Sequence, residues 1–313
     1  MKDFNSMRSK KNKMGALCII IGFQYEGKYK IPGILIDMFR VYLFAKKAKM
    51  KVMVITDIEK DNEDKELSKG ISLKNCDSRI FSFIQSLQQR GEYQYWTSLP
   101  YLKHMISSFL SPPFHKSEEG EGKGEGREEE GEERLFFYYT GHAKNKELLM
   151  PDLTLTPTEE FTENIPQTQL FFLFDCCNAS YVDLPFLLTM DFSVSRYRTT
   201  AVTKGGMYYL HTSTSNFTPK EIICISSAMV DEDAIATWTG STFTQLFFQT
   251  LELYENERNV HQILKKIQEV LKGKQSCRAY ASHPTLIVLF PWLFNPNIKK
   301  IQYGEYGFSV CLE

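Results

Sequence analysis

Two short runs of this 313-residue chain end in residues that can do nucleophilic chemistry. Residues 135–139, LFFYY, lead into Thr140, Gly141 and His142, and residues 169–174, QLFFLF, lead into Asp175, Cys176 and Cys177. Both runs are short and apolar throughout, the pattern of strands buried on both faces of a parallel sheet. Ligands in such sheets sit at the carboxyl ends of the strands. A His and a Cys leaving two strands of one sheet therefore share an edge. That is the pairing of a thiol hydrolase: the thiolate attacks, and the imidazole takes its proton and later protonates the leaving amine. Gly141 allows close approach of backbone to substrate, and its N–H together with that of Cys177 is the expected oxyanion hole. Each residue alone has a plainer reading, a polar loop histidine or a small core cysteine. Gly-His and Asp-x-Cys at the ends of two such strands favour chemistry.

The elements that must position these residues are visible in the hydropathy pattern. Strand-type runs cover residues 16–23 (ALCIIIGF), 51–56 (KVMVIT), 135–139, 169–174, 221–226 (EIICIS) and 285–290 (TLIVLF). Between them lie helix-type segments: 34–49, with an apolar stripe at 34, 35, 38, 41, 42 and 45, then 79–89, 101–110, 242–254 and 260–271. Apolar strands alternating with helices predict an α/β fold with a largely parallel sheet covered on both faces.

Bulk properties exclude several classes. The net charge of −1 gives no global reason for nucleic-acid or membrane binding. Residues 116–134 (KSEEGEGKGEGREEEGEER) hold nine Glu against four Lys or Arg. With no apolar residue, that stretch cannot bury surface and reads as a disordered insert. The apolar run at 16–23 is too short to span a bilayer and reads as a strand rather than a signal peptide. Seven cysteines without framework spacing suit free thiols in a reducing, cytoplasmic setting.

Four segments together resemble the caspase-like cysteine peptidases, most closely the metacaspases, with the paracaspase branch also matching. They are ALCIIIGFQYEG followed by IPGILIDMF, then FFYYTGHA, then FFLFDCCNAS, and finally ICISSAMVDEDA followed by GSTFTQLFFQTL. The resemblance implies the caspase-haemoglobinase fold, with a six-stranded, mostly parallel central sheet flanked by helices on both faces. It implies a flexible basic N-terminus at 1–14 and a peptidase domain at 15–300. Within that domain, 15–190 corresponds to the large subunit, 220–300 to the small subunit and 191–220 to the inter-subunit loop. Residues 301–313 form a C-terminal tail.

The same resemblance makes His142 the general base, Cys177 the nucleophile and Cys176 a bystander. Asp37, Thr140 and Asp175 become the S1 pocket, acidic and so selective for Arg or Lys. Arg196, Arg198 and Lys204 are the candidate self-cleavage sites. The chain departs from the family pattern at Ile34, Ile36, Ala143, Asn178, Ala179 and Ser180. No cofactor is required by a His–Cys dyad. The stretch from His142 to Cys177 is shorter than in calcium-binding members, and Asp152, Glu159, Glu160 and Glu163 are not spaced like Ca²⁺ ligands. Asp231 and Asp233 form the tighter acidic group and are the candidate metal ligands, against a plain solvated-loop reading.

The expected function is a monomeric cysteine endopeptidase acting on protein or peptide substrates. The alternative is a catalytically weak caspase-fold protein that acts as a binding or regulatory module, suggested by the altered residues around both motifs. A nucleotide-binding α/β protein ranks below these, because no phosphate-binding glycine loop follows any strand.

Overall fold

Seven uncharged residues, ALCIIIG, form the first strand, β1 (Ala16–Gly22), and all seven are buried. In the computed structural model of the chain, the described residues are 16–59, 77–111, 134–145, 147–162, 165–177, 184–188, 198–203, 206–210, 220–229, 232–254, 258–271, 274–283, 286 and 289–294. β1 pairs in parallel with β2 (Lys51–Thr56) on one side and with β4 (Arg134–Thr140) on the other. The short β3 (Tyr93–Tyr95) extends the sheet beyond β2. On the other side β4 pairs with β8 (Gln169–Asp175), and β8 with β12 (Glu221–Ser226), again in parallel.

Four antiparallel strands continue from β12. They are β15 (Arg278–Ala281), β9 (Phe186–Leu188), β11 (Gly206–Leu210) and β10 (Arg198–Thr203). The sheet order is β10-β11-β9-β15-β12-β8-β4-β1-β2-β3. Two small antiparallel pieces lie outside it. One is β5 (Ala143–Lys144), β6 (Glu147–Leu149) and β7 (Leu155–Pro157); the other is the hairpin β13 (Ala236–Thr237) and β14 (Gly240–Ser241).

The helices are α1 (Ile34–Lys47), α2 (Phe83–Gln89), α3 (Leu99–Leu110), α4 (Glu159–Thr162), α5 (Thr242–Leu253) and α6 (Val260–Leu271). Alternation along β4 shows that they cover both faces. Phe136 and Tyr138 point to α1 and α5: the Phe136 ring meets Phe44, and the Tyr138 hydroxyl lies 2.8 Å from Thr244 Oγ1. Phe137, on the opposite face, meets Phe161 of α4. Aromatic rings dominate the interior, with Phe136 against Phe171 and Phe137 against Phe172 in strand register.

The α/β architecture and the parallel block are as the sequence predicts, but among the described residues the central sheet has ten strands rather than six. Five of the six expected strands are present. The run 285–290 is not a strand at Leu286, Leu289 or Phe290, and its other residues lie outside the described set. Leu289 and Phe290 are nevertheless buried, so that apolar run marks burial rather than extension. β3 is too short and too polar to announce itself. The stretch 191–220, expected as a loop, contributes β10 and β11. Arg134, expected to close the acidic insert, instead opens β4; residues 112–133 lie outside the described set.

Candidate active site

β4 and β8 are neighbours in parallel register with Thr140 opposite Asp175. His142 and Cys177 each stand two residues beyond that pair, so the two chains leave the sheet edge side by side. Both residues line one cavity of about 80 Å³, together with Ile31, Ile34, Asp37, Thr140, Gly141, Asp175, Ala234, Ile235, Ala236 and Ser241. The sequence-predicted base, nucleophile and all three S1 residues therefore border a single space.

His142 is held through its main chain. Its N–H donates to the Tyr25 hydroxyl at 2.9 Å, and its carbonyl accepts from the Tyr139 hydroxyl at 2.8 Å. The Tyr25 hydroxyl donates onward to the Leu149 carbonyl at 2.7 Å. The Tyr25 ring lies tilted against the imidazole, with centroids 4.9 Å apart. Tyr25 itself has φ 59°, a left-handed conformation that costs a non-glycine residue about 1–3 kcal/mol. Asp57 holds it there by accepting the Gln24 and Tyr25 N–H groups, each at 2.7 Å. The imidazole Nε2 is 2.7 Å from the Tyr29 carbonyl. A carbonyl can only accept, so Nε2 carries the proton and Nδ1 is left as the basic nitrogen.

Cys177 is half-buried, whereas Cys176 is buried and its N–H donates to Ser227 Oγ at 3.1 Å. The Ala234 N–H approaches the Cys177 sulfur at 3.3 Å. Burial pushes the Cys177 thiol up; the Ala234 N–H pulls it down, and the Asp233 carboxylate beside it pushes it up again. The raised thiol favours the protonated sulfur over a preformed thiolate.

The acidic residues are fully enclosed. Asp37, 1% exposed, accepts from Arg40 Nη1 at 2.8 Å and from the Ser241 N–H at 2.6 Å. Burial and the neighbouring Asp175 carry its pKa up to about 8 against the pull of Arg40. Asp175, 3% exposed, accepts the Thr244 hydroxyl and N–H on Oδ2. No donor is placed squarely on its Oδ1, although the Ser227 and Ser241 hydroxyls lie close enough to draw the carboxyl down from the level burial sets.

Several expected roles change. The Gly141 N–H donates to the Asp175 carbonyl at 3.4 Å, continuing the β4–β8 ladder, so it is not presented as an oxyanion donor. Its lack of a side chain matters instead: a Cβ there would fall 2.7 Å from both the Tyr139 and Tyr25 hydroxyls. The Cys177 N–H remains the candidate oxyanion donor. Asp231 lies outside the described residues, and Asp233 is exposed. Among the described residues no group of His, Cys, Asp and Glu is arranged to hold a metal. Glu232 serves a structural purpose, accepting from the Ser276 N–H and hydroxyl and from the Met229 N–H. Arg196 and Lys204 lie outside the described residues, and Arg198 pairs with Leu210 in the sheet, so a cut there requires that ladder to open.

Sequence reasoning missed Tyr25, Tyr139, Arg40 and Gly240. Arg40 did leave a signal. In ILIDMFRVYLFA, the first twelve residues of α1, it and Asp37 are the charged residues of an otherwise apolar stretch, and a helix apolar all round is buried. Two opposite charges three positions apart on such a helix must meet.

A family model for the caspase domain matches residues 126–289, just over half of the chain and both motifs. A search of curated proteins finds no match. Among solved structures, Caspase-1 from Spodoptera frugiperda is 12% identical, with 86% of this chain and 89% of that one covered at a TM-score of 0.47. A protein from Geobacter sulfurreducens is 10% identical, with 89% and 98% covered at a TM-score of 0.50, a likeness of fold. No helix among the described residues is long and apolar enough to cross a membrane. With its His and Cys motifs at the carboxyl edge of an α/β sheet and the family model spanning both, the chain belongs to the caspase domain family.

Proposed function

We propose that the protein is a cysteine endopeptidase of metacaspase or paracaspase type that cleaves protein or peptide substrates after a basic residue. The observation that carries this reading is that His142, Cys177, Asp37 and Asp175 border one cavity at the carboxyl ends of β4 and β8. Cys177 attacks the scissile carbonyl as Nδ1 of His142 takes its proton, and the same nitrogen then protonates the leaving amine. The Tyr29 carbonyl fixes the tautomer, as an orienting acceptor does for other imidazole bases. A buried carboxylate pair with a single internal cation favours a positively charged P1 side chain.

Cleavage of a fluorogenic peptide with Lys or Arg at P1 tests the assignment. Cys177→Ala abolishes turnover, whereas Cys176→Ala keeps more than about a tenth of it, because the second thiol touches no reacting atom. Equal activity of the two variants contradicts the nucleophile assignment.

One observation favours the second reading, a weakly catalytic binding module: the sulfur is covered by the Ala234 N–H, and burial raises its thiol. Iodoacetamide labelling separates the two. A Cys177 that reacts no faster than Cys176 favours the module.

A further inference from the structure

We propose that Arg40 is a specificity-determining residue which takes Asp37 out of substrate recognition, so that the pocket selects lysine over arginine at P1. This rests on the peptidase reading above but concerns the pocket alone.

Three observations carry it. First, the acceptors are unequally available. Both Asp37 oxygens are engaged, one by Arg40 Nη1 at 2.8 Å and one by the Ser241 N–H at 2.6 Å. Oδ2 of Asp175 takes both Thr244 donors. That leaves Asp175 Oδ1, buried with the Ser227 and Ser241 hydroxyls nearby but with no donor in hydrogen-bond geometry, on a residue that lines the cavity. A single acceptor oxygen matches an ammonium, a compact point charge with rotatable donors. A guanidinium presents a planar fork that asks for two coplanar acceptors, and its surplus N–H groups would be buried unpaired.

Second, a guanidinium already stands behind the pocket wall: Arg40, outside the cavity lining, pairs with Asp37. Two carboxylates and Arg40 leave room for one further cation. The cavity of about 80 Å³ also suits the slimmer lysine chain better than the longer arginine.

Third, the wall is tied closely on the side where a larger group would press. Arg40 Nη2 donates to the Thr239 carbonyl at 2.8 Å, tying the β13–β14 hairpin to α1. Gly240, at φ +100°, packs so closely that a Cβ would lie 2.3 Å from Asp37 Oδ1 and 2.5 Å from Arg40 Nη1. Gly33, at φ +77°, leaves a Cβ only 2.2 Å from the Thr237 carbonyl. The hairpin and the helix start are in backbone contact.

The test uses the full chain carrying Cys177→Ala, so that binding is read without turnover. Two peptides identical except for a C-terminal Lys or Arg, occupying P1, are titrated calorimetrically. The lysine peptide binds at least about tenfold more tightly, the worth of one well-made charged hydrogen bond. Equal affinity, tighter binding of the arginine peptide, or binding of neither overturns the proposal. In the Cys177→Ala, Arg40→Gln double variant the preference falls below about threefold, because Asp37 becomes available as a second acceptor. A preference unchanged in that variant overturns the role of Arg40. If the double variant does not fold, the ratio in the single variant decides alone. Wild-type turnover reports separately on the peptidase reading: selective binding of lysine with no cleavage of either peptide removes the enzyme and keeps the pocket.

Discussion

Tyr25 is the residue that connects the strained first loop to the chemistry. Its hydroxyl accepts from the His142 N–H and donates to the Leu149 carbonyl, and its ring supports the imidazole. Tyr25→Phe keeps the ring and removes both hydrogen bonds, leaving the part-buried His142 N–H unmatched at about 1–3 kcal/mol, while the Leu149 carbonyl keeps the Tyr139 hydroxyl. If the hydroxyl positions the base, kcat falls by about 10- to 100-fold while KM for a lysyl peptide stays within about twofold. Steady-state kinetics on that variant check this. A rise in KM with kcat unchanged would place Tyr25 in substrate binding rather than in positioning His142. Tyr139 shares the task from β4, its hydroxyl donating to the His142 carbonyl. Two tyrosines, rather than a side-chain partner on the imidazole alone, hold His142 by its backbone.

At the scale of elements, the site depends on the union of α1 with the β13–β14 hairpin. Gly240 is where that union is tightest, and its positive φ is one that L side chains rarely adopt. Gly240→Ala is expected to cost at least about 1–3 kcal/mol from backbone strain, with a further cost from displacing the Asp37–Arg40 pair. Urea unfolding of the variant reads this as a lower midpoint at unchanged slope. A midpoint within error of wild type contradicts the packing described. None of this hairpin was legible in the sequence. The apolar–polar alternation of ATWT is too short to announce a strand pair, and the glycine that follows reads as one more loop residue. The strands behaved differently. β1, β4, β8 and β12 are buried almost throughout, so continuous apolarity announced them. β3, β9 and β15, short and at or beyond the end of the parallel block, carried too little pattern to be seen.

The whole molecule places two carboxyls and a thiol in one enclosed space, and that sets its pH dependence. Burial raises Asp37 to about 8 and also raises Asp175 and Cys177. Only an ionised carboxyl pairs with a cation, so KM for a lysyl substrate falls as rising pH ionises Asp175, the carboxyl left to meet it and one that burial holds above the ordinary carboxylate range, and kcat rises as the thiol becomes easier to deprotonate. A pH–rate series on P1-lysine and P1-norleucine peptides checks this: the KM trend belongs to the charged residue alone. If KM for both peptides moves in parallel, the pocket carboxyls are not the titrating groups. Stability runs the opposite way. The folded pKa of Asp37 lies above its ordinary 3.8, so its contribution is full below about 4 and is lost as pH rises to about 8.

The family and the place of the candidate site were readable because His142 and Cys177 follow apolar strands in chain order. That the Gly141 N–H is engaged in the sheet was not, because the ladder it continues appears only once β4 and β8 are in register.

The central claim is that Cys177, not its neighbour, is a nucleophile served by His142 beside a cation-selective pocket. The most direct measurement treats the full chain with a lysyl chloromethyl ketone and maps the adduct by peptide mass spectrometry. One adduct on Cys177, lost on competition with excess lysyl peptide, is the result predicted. An adduct on Cys176, or none on Cys177, contradicts the account.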